Sequence, residues 1–321
     1  MYKEPIFLQP IFQERIWGGG QKLHTEFHYT IPYECTGGEA WAISAHENGP
    51  SKIVNGELKG KTLLDAWKDH GELFNKSVDN TEAYPLLIKI LDANDKLSVQ
   101  VHPNDHYARE VANEDYGKTE CWYVLSAEEN AELIIGHHAQ SRDELEAMID
   151  QGKWDELLRY VKVKTGDFVY VPSGTLHAIG SGIVILETQQ SSDITYRVYD
   201  YDRTDTEGNT RELHLQQAKE VITVPHGTPE LTQTVEKKQG LTAKKLVKEE
   251  YFTVYHWELD GSVELTRAAD FLQVSMVEGE ASITVNNQSF HIKKGDHFIL
   301  PATIQDYQLE GHGEFVVSHT S

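Results

Sequence analysis

A chain of 321 residues, 39% of them apolar, has room for two domains with a core each, and its formal net charge is −22. That charge repels nucleic acid and anionic membrane surfaces, and no run of 18 apolar residues exists to span a bilayer. Two cysteines, Cys35 and Cys121, make no disulfide framework, and the start Met1-Tyr-Lys-Glu-Pro-Ile-Phe lacks a secretory apolar region, so a reducing cytoplasm is expected.

In chain order, Thr62 to His70 reads as a brief helix, Leu97 to Val101 as a strand and Asp105 to Asn113 as a second helix. Strands are predicted at Cys121 to Leu125 and Leu133 to Ile135. Ser141-Arg-Asp-Glu144 forms a capping box that opens a helix through Met148, and another helix is predicted over Trp154 to Tyr160. After strands at Asp167 to Val171 and Ile183 to Leu186, a helix over Glu212 to Ile222 closes the first half. The polar stretch Val224 to Gly240, with Pro225 and Pro229, reads as a linker or an extended crossing. Strands follow at Phe252 to Trp257, Leu272 to Val277, Ala281 to Val285 and His297 to Leu300. Parallel α/β folds need long helices between strands, and these are missing, so a mainly β sandwich of many short strands is expected.

Lys164-Thr-Gly-Asp-Phe-Val-Tyr-Val-Pro172 is echoed 129 residues later by Lys293-Lys-Gly-Asp-His-Phe-Ile-Leu-Pro301. A Gly-Asp turn entering an apolar strand is common in β proteins, so duplication and coincidence both stay open. The same offset carries His177 to Asp306, and nothing like Gln-x-His occurs in the second copy. If the halves are duplicated, only the first kept a metal.

Gly166, then five residues, then Pro172-Ser-Gly174-Thr-Leu-His177 fits the second cupin motif without a gap. Pro172 ends a strand without needing a ladder donor, Gly174 permits a tight turn, and the next strand presents His177 inward. In the place of the motif's partner stands Ser98-Val-Gln100-Val-His102, whose period of two puts Ser98, Gln100 and His102 on one face and the valines on the other. Glu120 arrives after 17 intervening residues that contain the predicted 105–113 helix. Nitrogen and oxygen donors without thiolates suit an open divalent site such as Zn²⁺, one per chain, rather than a closed structural zinc. The expected fold is therefore two cupin-like jelly-roll sandwiches, with a few short helices inserted in the first. Residues 1–225 would carry the metal, 226–240 would link, and 241–321 would form a smaller, metal-free unit.

At these residues the chain resembles the type I mannose-6-phosphate isomerases, more closely their short bacterial group. The matching stretches are Trp17-Gly-Gly, Pro85-Leu-Leu-Ile-Lys-Ile-Leu-Asp-Ala, Leu97-Ser-Val-Gln-Val-His-Pro103, Gly117-Lys-Thr-Glu-Cys-Trp122, Pro172-Ser-Gly-Thr-Leu-His-Ala178 and Glu187-Thr-Gln-Gln-Ser-Ser-Asp-Ile-Thr-Tyr-Arg197. They span the first two-thirds of the chain. The resemblance implies a zinc enzyme that interconverts mannose 6-phosphate and fructose 6-phosphate, with Gln100, His102, Glu120 and His177 as ligands. It gives Arg197 the catalytic arginine position and places Ser98, Lys118, Glu187 and Asp193 in the pocket. The chain is too short for the helical insertion of larger members, and Arg203 stands where longer relatives place a phosphate-binding lysine.

Aldose–ketose isomerisation moves a proton between C1 and C2 through a cis-enediol, which needs a tuned base and an electrophile. Arg197, always cationic, suits the enediolate. Lys118 points to the same face as Glu120, and a nearby zinc would press its pKa down, which suits a proton shuttle. An anionic substrate in so acidic a chain also demands a local positive pocket, expected from Lys89, Lys96, Lys118, Arg197 and Arg203. Gly18-Gly-Gly20 lacks the lysine of a phosphate loop and reads as a turn. His137-His138 reads as the solvated start of a loop. Glu39 and His46 are within reach of the pocket while Trp41 reads as core, and Cys121 is expected to face away from the metal. The rival readings are an Fe²⁺ cupin dioxygenase and a non-catalytic sugar-phosphate-binding regulator. A monomer or weak homodimer is expected.

Overall fold

Strands dominate the computed structural model, which describes residues 2–19, 21–32, 37–77, 79, 81–205 and 207–321. Cys35 and Gly20, on which two of the expectations bear, lie outside the described residues. A six-stranded antiparallel sheet runs in the order Phe168–Val171, Glu120–Ala127, Ile183–Gln190, Leu86–Ala93, Glu39–Ile43 and Ile11–Gln13. A five-stranded sheet runs Tyr196–Tyr199, Val99–Val101, His177–Ile179, Glu132–His137 and Leu158–Lys162.

Alternation decides what each face does. Leu91, Trp122, Val124 and Ile185 of the larger sheet pack on Leu133, Ile135 and Ile179 of the smaller, closing the first sandwich. Val99, Val101, Ile134 and Ala178 point outward beneath the helices Arg142–Asp150 and Leu215–Val221. The other face of the six-stranded sheet, with Leu86, Ile88, Cys121 and Leu186, packs on Val247, Phe252, Val254 and Val316 of the second half. Cys121 is thus a buried core thiol turned from the cavity, as expected.

The second half is one nine-stranded sheet. Its order is Thr234–Lys238, Leu241–Lys248, Phe252–Thr266, Asp306–Thr320, Leu272–Val285 and His297–Leu300, continued by Ile6–Gln9 and Lys52–Ile53, with Gln288–Lys293 beside Leu272–Val285. It curls on itself around Leu259, Ile283, Phe298 and Phe315. As a proposal, the units are 1–225 and 241–321. Hydrogen bonding crosses that division, because two N-terminal strands belong to the second sheet and Thr234–Lys238, inside the joining segment, is its edge. No described helix is long and apolar enough to cross a membrane.

Local chemistry explains where elements begin. Thr62 and Asp65 form a reciprocal capping box at the helix Leu63–Asp69. Ser141 caps Arg142–Asp150 by accepting from the Glu144 amide, but the Glu144 carboxylate reaches back to the amide of Gln140 rather than Ser141. The predicted 154–160 helix stops at Leu157, and Leu158–Lys162 turns extended to pair with Glu132–His137. The two strands predicted at 272–277 and 281–285 are one. Gly279 lets it run on, since its φ is +81° and a Cβ there would meet the His312 carbonyl at 2.3 Å. His137 is not solvated: it is 4% exposed, ends a strand, and its Nε2 lies 2.9 Å from the Thr223 carbonyl.

Candidate active site

Between the two sheets of the first sandwich lies a cavity of about 340 Å³. Its smaller-sheet wall is a row set by register: Gln100 stands opposite His177 on one side and Arg197 on the other. Its larger-sheet wall is a second row, in which Trp122, Glu187, Lys89 and Trp41 follow one another across four strands. Glu120 precedes Trp122 by two residues and so shares its face.

At one end, His102, Glu120 and His177 bring their donor atoms within 4.8 Å of one another, and each is about 1% exposed. His102 Nδ1 lies 2.8 Å from the Ile194 carbonyl and His177 Nδ1 lies 2.8 Å from the Thr175 carbonyl. An imidazole that donates Nδ1–H to a carbonyl leaves Nε2 as its acceptor, and both Nε2 atoms face Glu120, at 3.4 and 3.3 Å. The Gln100 amide nitrogen is 3.5 Å from His177 Nε2. Glu120 Oε1 is buried without a hydrogen-bond partner, while Oε2 has the Lys118 ammonium beside it. Oriented lone pairs around an under-satisfied buried carboxylate fit a divalent cation.

Lys118 shares the centre. Its Nζ is 2.7 Å from Glu120 and 3.0 Å from His102 Nε2. Burial pushes His102 down to about 3, helped by the Lys118 charge, and burial also lowers His177, so both rings are neutral at neutral pH. Burial works against the Glu120 anion, yet the Lys118 charge holds its carboxyl well below the usual range. Burial opposes the Lys118 charge, but Glu120 and Glu187 outweigh burial and raise its pKa.

The rest of the cavity is a ladder of buried charge. Arg15 grips both Glu39 oxygens at 2.9 and 3.2 Å, and the Trp41 indole donates to Glu39 at 2.7 Å. Lys89 lies 3.8 Å from Glu39 and 3.5 Å from Glu187, with its ammonium 5.0 Å from the Trp41 ring centre. Burial raises Glu39, but Lys89 and Arg15 more than reverse it and hold the group at about 2. Glu187, which accepts from Trp122 at 3.1 Å, is pushed up by burial and by the Glu120 charge.

At the mouth, Arg197 donates to the Glu212 carbonyl at 2.8 Å, and its Nε is buried without a partner. Burial lowers its pKa, and the next cause is the nearby charge of Arg211, whose guanidinium Asp200 grips at 2.8 and 2.6 Å. Two guanidinium groups thus converge on one cavity. Asp193 lines the same cavity and accepts from the Asn48 amide at 2.6 Å.

Of the residues the sequence singled out, Trp17, Lys89, Ser98, Gln100, Lys118, Glu120, His177, Glu187, Asp193 and Arg197 line the cavity, and His102 stands behind Glu120 and Lys118. Lys96 and Arg203 stand apart. The Lys96 ammonium sits 3.7 Å from the Tyr201 ring centre, outside the cavity wall. Arg203 is tied to Asp200 at 2.6 Å, to Asp95 at 3.2 Å and to the Lys96 carbonyl at 2.6 Å. Arg15 and Arg211 supply the positive charge instead, and sequence reasoning missed both. Arg15 stands two residues before Trp17, the one signal available. Trp41 is core and cavity wall at once.

The family model for the catalytic domain of type I phosphomannose isomerase matches residues 6–132, and that for the mannose-6-phosphate isomerase cupin domain matches residues 242–320. The chain is 52% identical over 319 residues to the mannose-6-phosphate isomerase of Streptococcus mutans, covering 99% of each. It is 50% identical to mannose-6-phosphate isomerase ManA of Bacillus subtilis, over 99% of this chain and 100% of that one. The crystal structure of the Bacillus subtilis mannose 6-phosphate isomerase superposes with a TM-score of 0.94 at 48% identity, covering 99% of this chain and 100% of that one.

Proposed function

The chain belongs to the type I phosphomannose isomerases, and on that footing we propose that it interconverts mannose 6-phosphate and fructose 6-phosphate with one zinc ion, through a cis-enediol. The observation that carries the metal reading is the pair of imidazoles turned Nε2-first onto the under-satisfied Glu120 carboxylate. Gln100, His102, Glu120 and His177 would hold the ion. Zinc supplies Lewis-acid polarisation of adjacent sugar oxygens.

The protein's own groups do the rest. A proton leaves C2 of the aldose and returns at C1, and we assign its transfer to Glu187 and Lys118 because both are buried and line the cavity. Arg197 faces the developing enediolate with a charge that titration at neutral pH does not remove. Arg211, which lines the same cavity, suits the phosphate dianion, in the place that spacing assigned to Arg203. Ser98, Lys89, Asp193 and Trp17 border the sugar, and the buried ladder fixes Lys89 so that little ordering is needed on binding.

Metal analysis by mass spectrometry beside a coupled mannose 6-phosphate assay tests the reading. Zinc near one per chain is expected, with turnover lost to a chelator and restored by zinc. Iron in its place would favour an oxygenase, and bound zinc without turnover a regulator.

A further inference from the structure

One buried histidine has no part in the chemistry derived so far. His137 is 4% exposed, ends the strand Glu132–His137 and does not line the active-site cavity. Burial lowers its pKa, so the ring is neutral at neutral pH. Its Nε2 lies 2.9 Å from the Thr223 carbonyl, and a carbonyl only accepts, so the ring carries its one proton there.

Thr223 in turn bonds the loop that delivers His177. Pro172 and Thr175 close a tight turn, with the Thr175 amide donating to the Pro172 carbonyl at 3.1 Å. The Thr175 carbonyl accepts from His177 Nδ1 at 2.8 Å and so aims the imidazole. Three other bonds hold this turn. Gly174 donates its amide to the His102 carbonyl at 2.8 Å, and the Ser173 amide lies 3.3 Å from the Thr119 hydroxyl. Those two partners belong to the centre's own surroundings. The third comes from outside it: the Thr223 amide donates to the Gly174 carbonyl at 2.9 Å.

The fit at that contact is close. Gly174 has a φ of +82°, and a Cβ there would run into the Thr223 hydroxyl. Thr223 itself lies just past the helix Leu215–Val221, in neither a helix nor a strand, and its own side is exposed to solvent. No ladder therefore holds it. Its amide is committed to Gly174 and its carbonyl to His137, so the buried ring is the anchor on which the outer side of the turn depends.

We propose that His137 is a positioning residue for the metal centre: through Thr223 it holds the Pro172–Thr175 turn, and with it the carbonyl that aims His177. The proposal rests on the metal reading above. An apolar side chain would fill the end of the strand as well; a donor is needed there only for the Thr223 carbonyl.

Competition between metal-free protein and a chromophoric chelator for zinc tests this without reference to turnover. His137→Asn places its amide near the position of Nδ1, short of Thr223, and should weaken zinc binding by about tenfold, the low end for a group behind a ligand. His137→Gln reaches the position of Nε2 and should stay within about twofold of the wild type. If His137→Asn does not fold, His137→Phe keeps a ring without the donor and should show the same tenfold loss. Thr62→Ala removes the cap of a helix that contributes nothing to the cavity wall, and should leave zinc affinity unchanged. Wild-type affinity in the donor-less variant, an equal loss in His137→Gln, or an equal loss in Thr62→Ala overturns the proposal. A wild type that binds no zinc overturns the metal reading itself, whereas zinc bound alike by the wild type and all variants overturns the positioning role alone.

Discussion

The first sandwich and the second half each carry a cavity, of about 340 and about 270 Å³, and the two differ in what their walls must satisfy. In the first, Arg15, Glu39, Lys89, Glu187, Lys118 and Glu120 are charged and close-set, and each is stable only because its neighbour has the opposite sign. In the second, Leu272, Val317 and Ala243 are among the lining residues and need no partner. Sheets hold both kinds of wall, so the side chains decide a pocket's chemistry.

The sharpest way to break the contrast is to remove charge from the first cavity alone. Arg197→Ala should retain zinc and lower kcat/KM by roughly 10²–10³-fold, as loss of a transition-state charge partner does. A fully active variant would take the arginine out of the mechanism.

Next in size is Glu39→Gln, which leaves Lys89 and Arg15 facing a neutral amide. A loss on the order of 3 kcal/mol is expected by denaturant unfolding at neutral pH. The pH dependence follows from the sign of the shift. Glu39 is held at about 2 in the folded protein against an ordinary 4.5. Its contribution is therefore present above about 4.5 and is lost as pH falls from there toward 2. Glu39→Gln should flatten the acid limb in that window, and an unchanged limb would mean that the ladder does not act as drawn.

The smallest effect is predicted at Lys96→Ala. Its ammonium lies over Tyr201 rather than in the cavity, so stability should fall by less than ~1 kcal/mol, with KM for mannose 6-phosphate unmoved. A KM rise of about tenfold would return Lys96 to the substrate.

What the sequence revealed depended on how local the constraint was. His102 and His177 were legible because a strand period and a Pro-x-Gly turn fix their direction within a few residues. Arg211 was illegible because it reaches the cavity only by way of Asp200, a contact between loops that no spacing encodes. Arg203 misled for the same reason: its spacing after Arg197 suited phosphate, but Asp200, Asp95 and the Lys96 carbonyl claim all its reach. The local pattern carries a helix from Trp154 on through residue 160, whereas pairing with Glu132–His137 ends it at Leu157. Ile6–Gln9 joins the C-terminal sheet by pairing with His297–Leu300, a contact about 290 residues apart that no local pattern announces.

The central claim is that the metal and the turnover belong to the first cavity alone. Zinc titrated into metal-free protein, with bound metal and mannose 6-phosphate turnover read on the same samples, tests it most directly. Activity should rise linearly and stop at one zinc per chain, and His177→Ala should take up none. Activity that is independent of zinc, that needs a second equivalent, or that survives in His177→Ala would contradict the account.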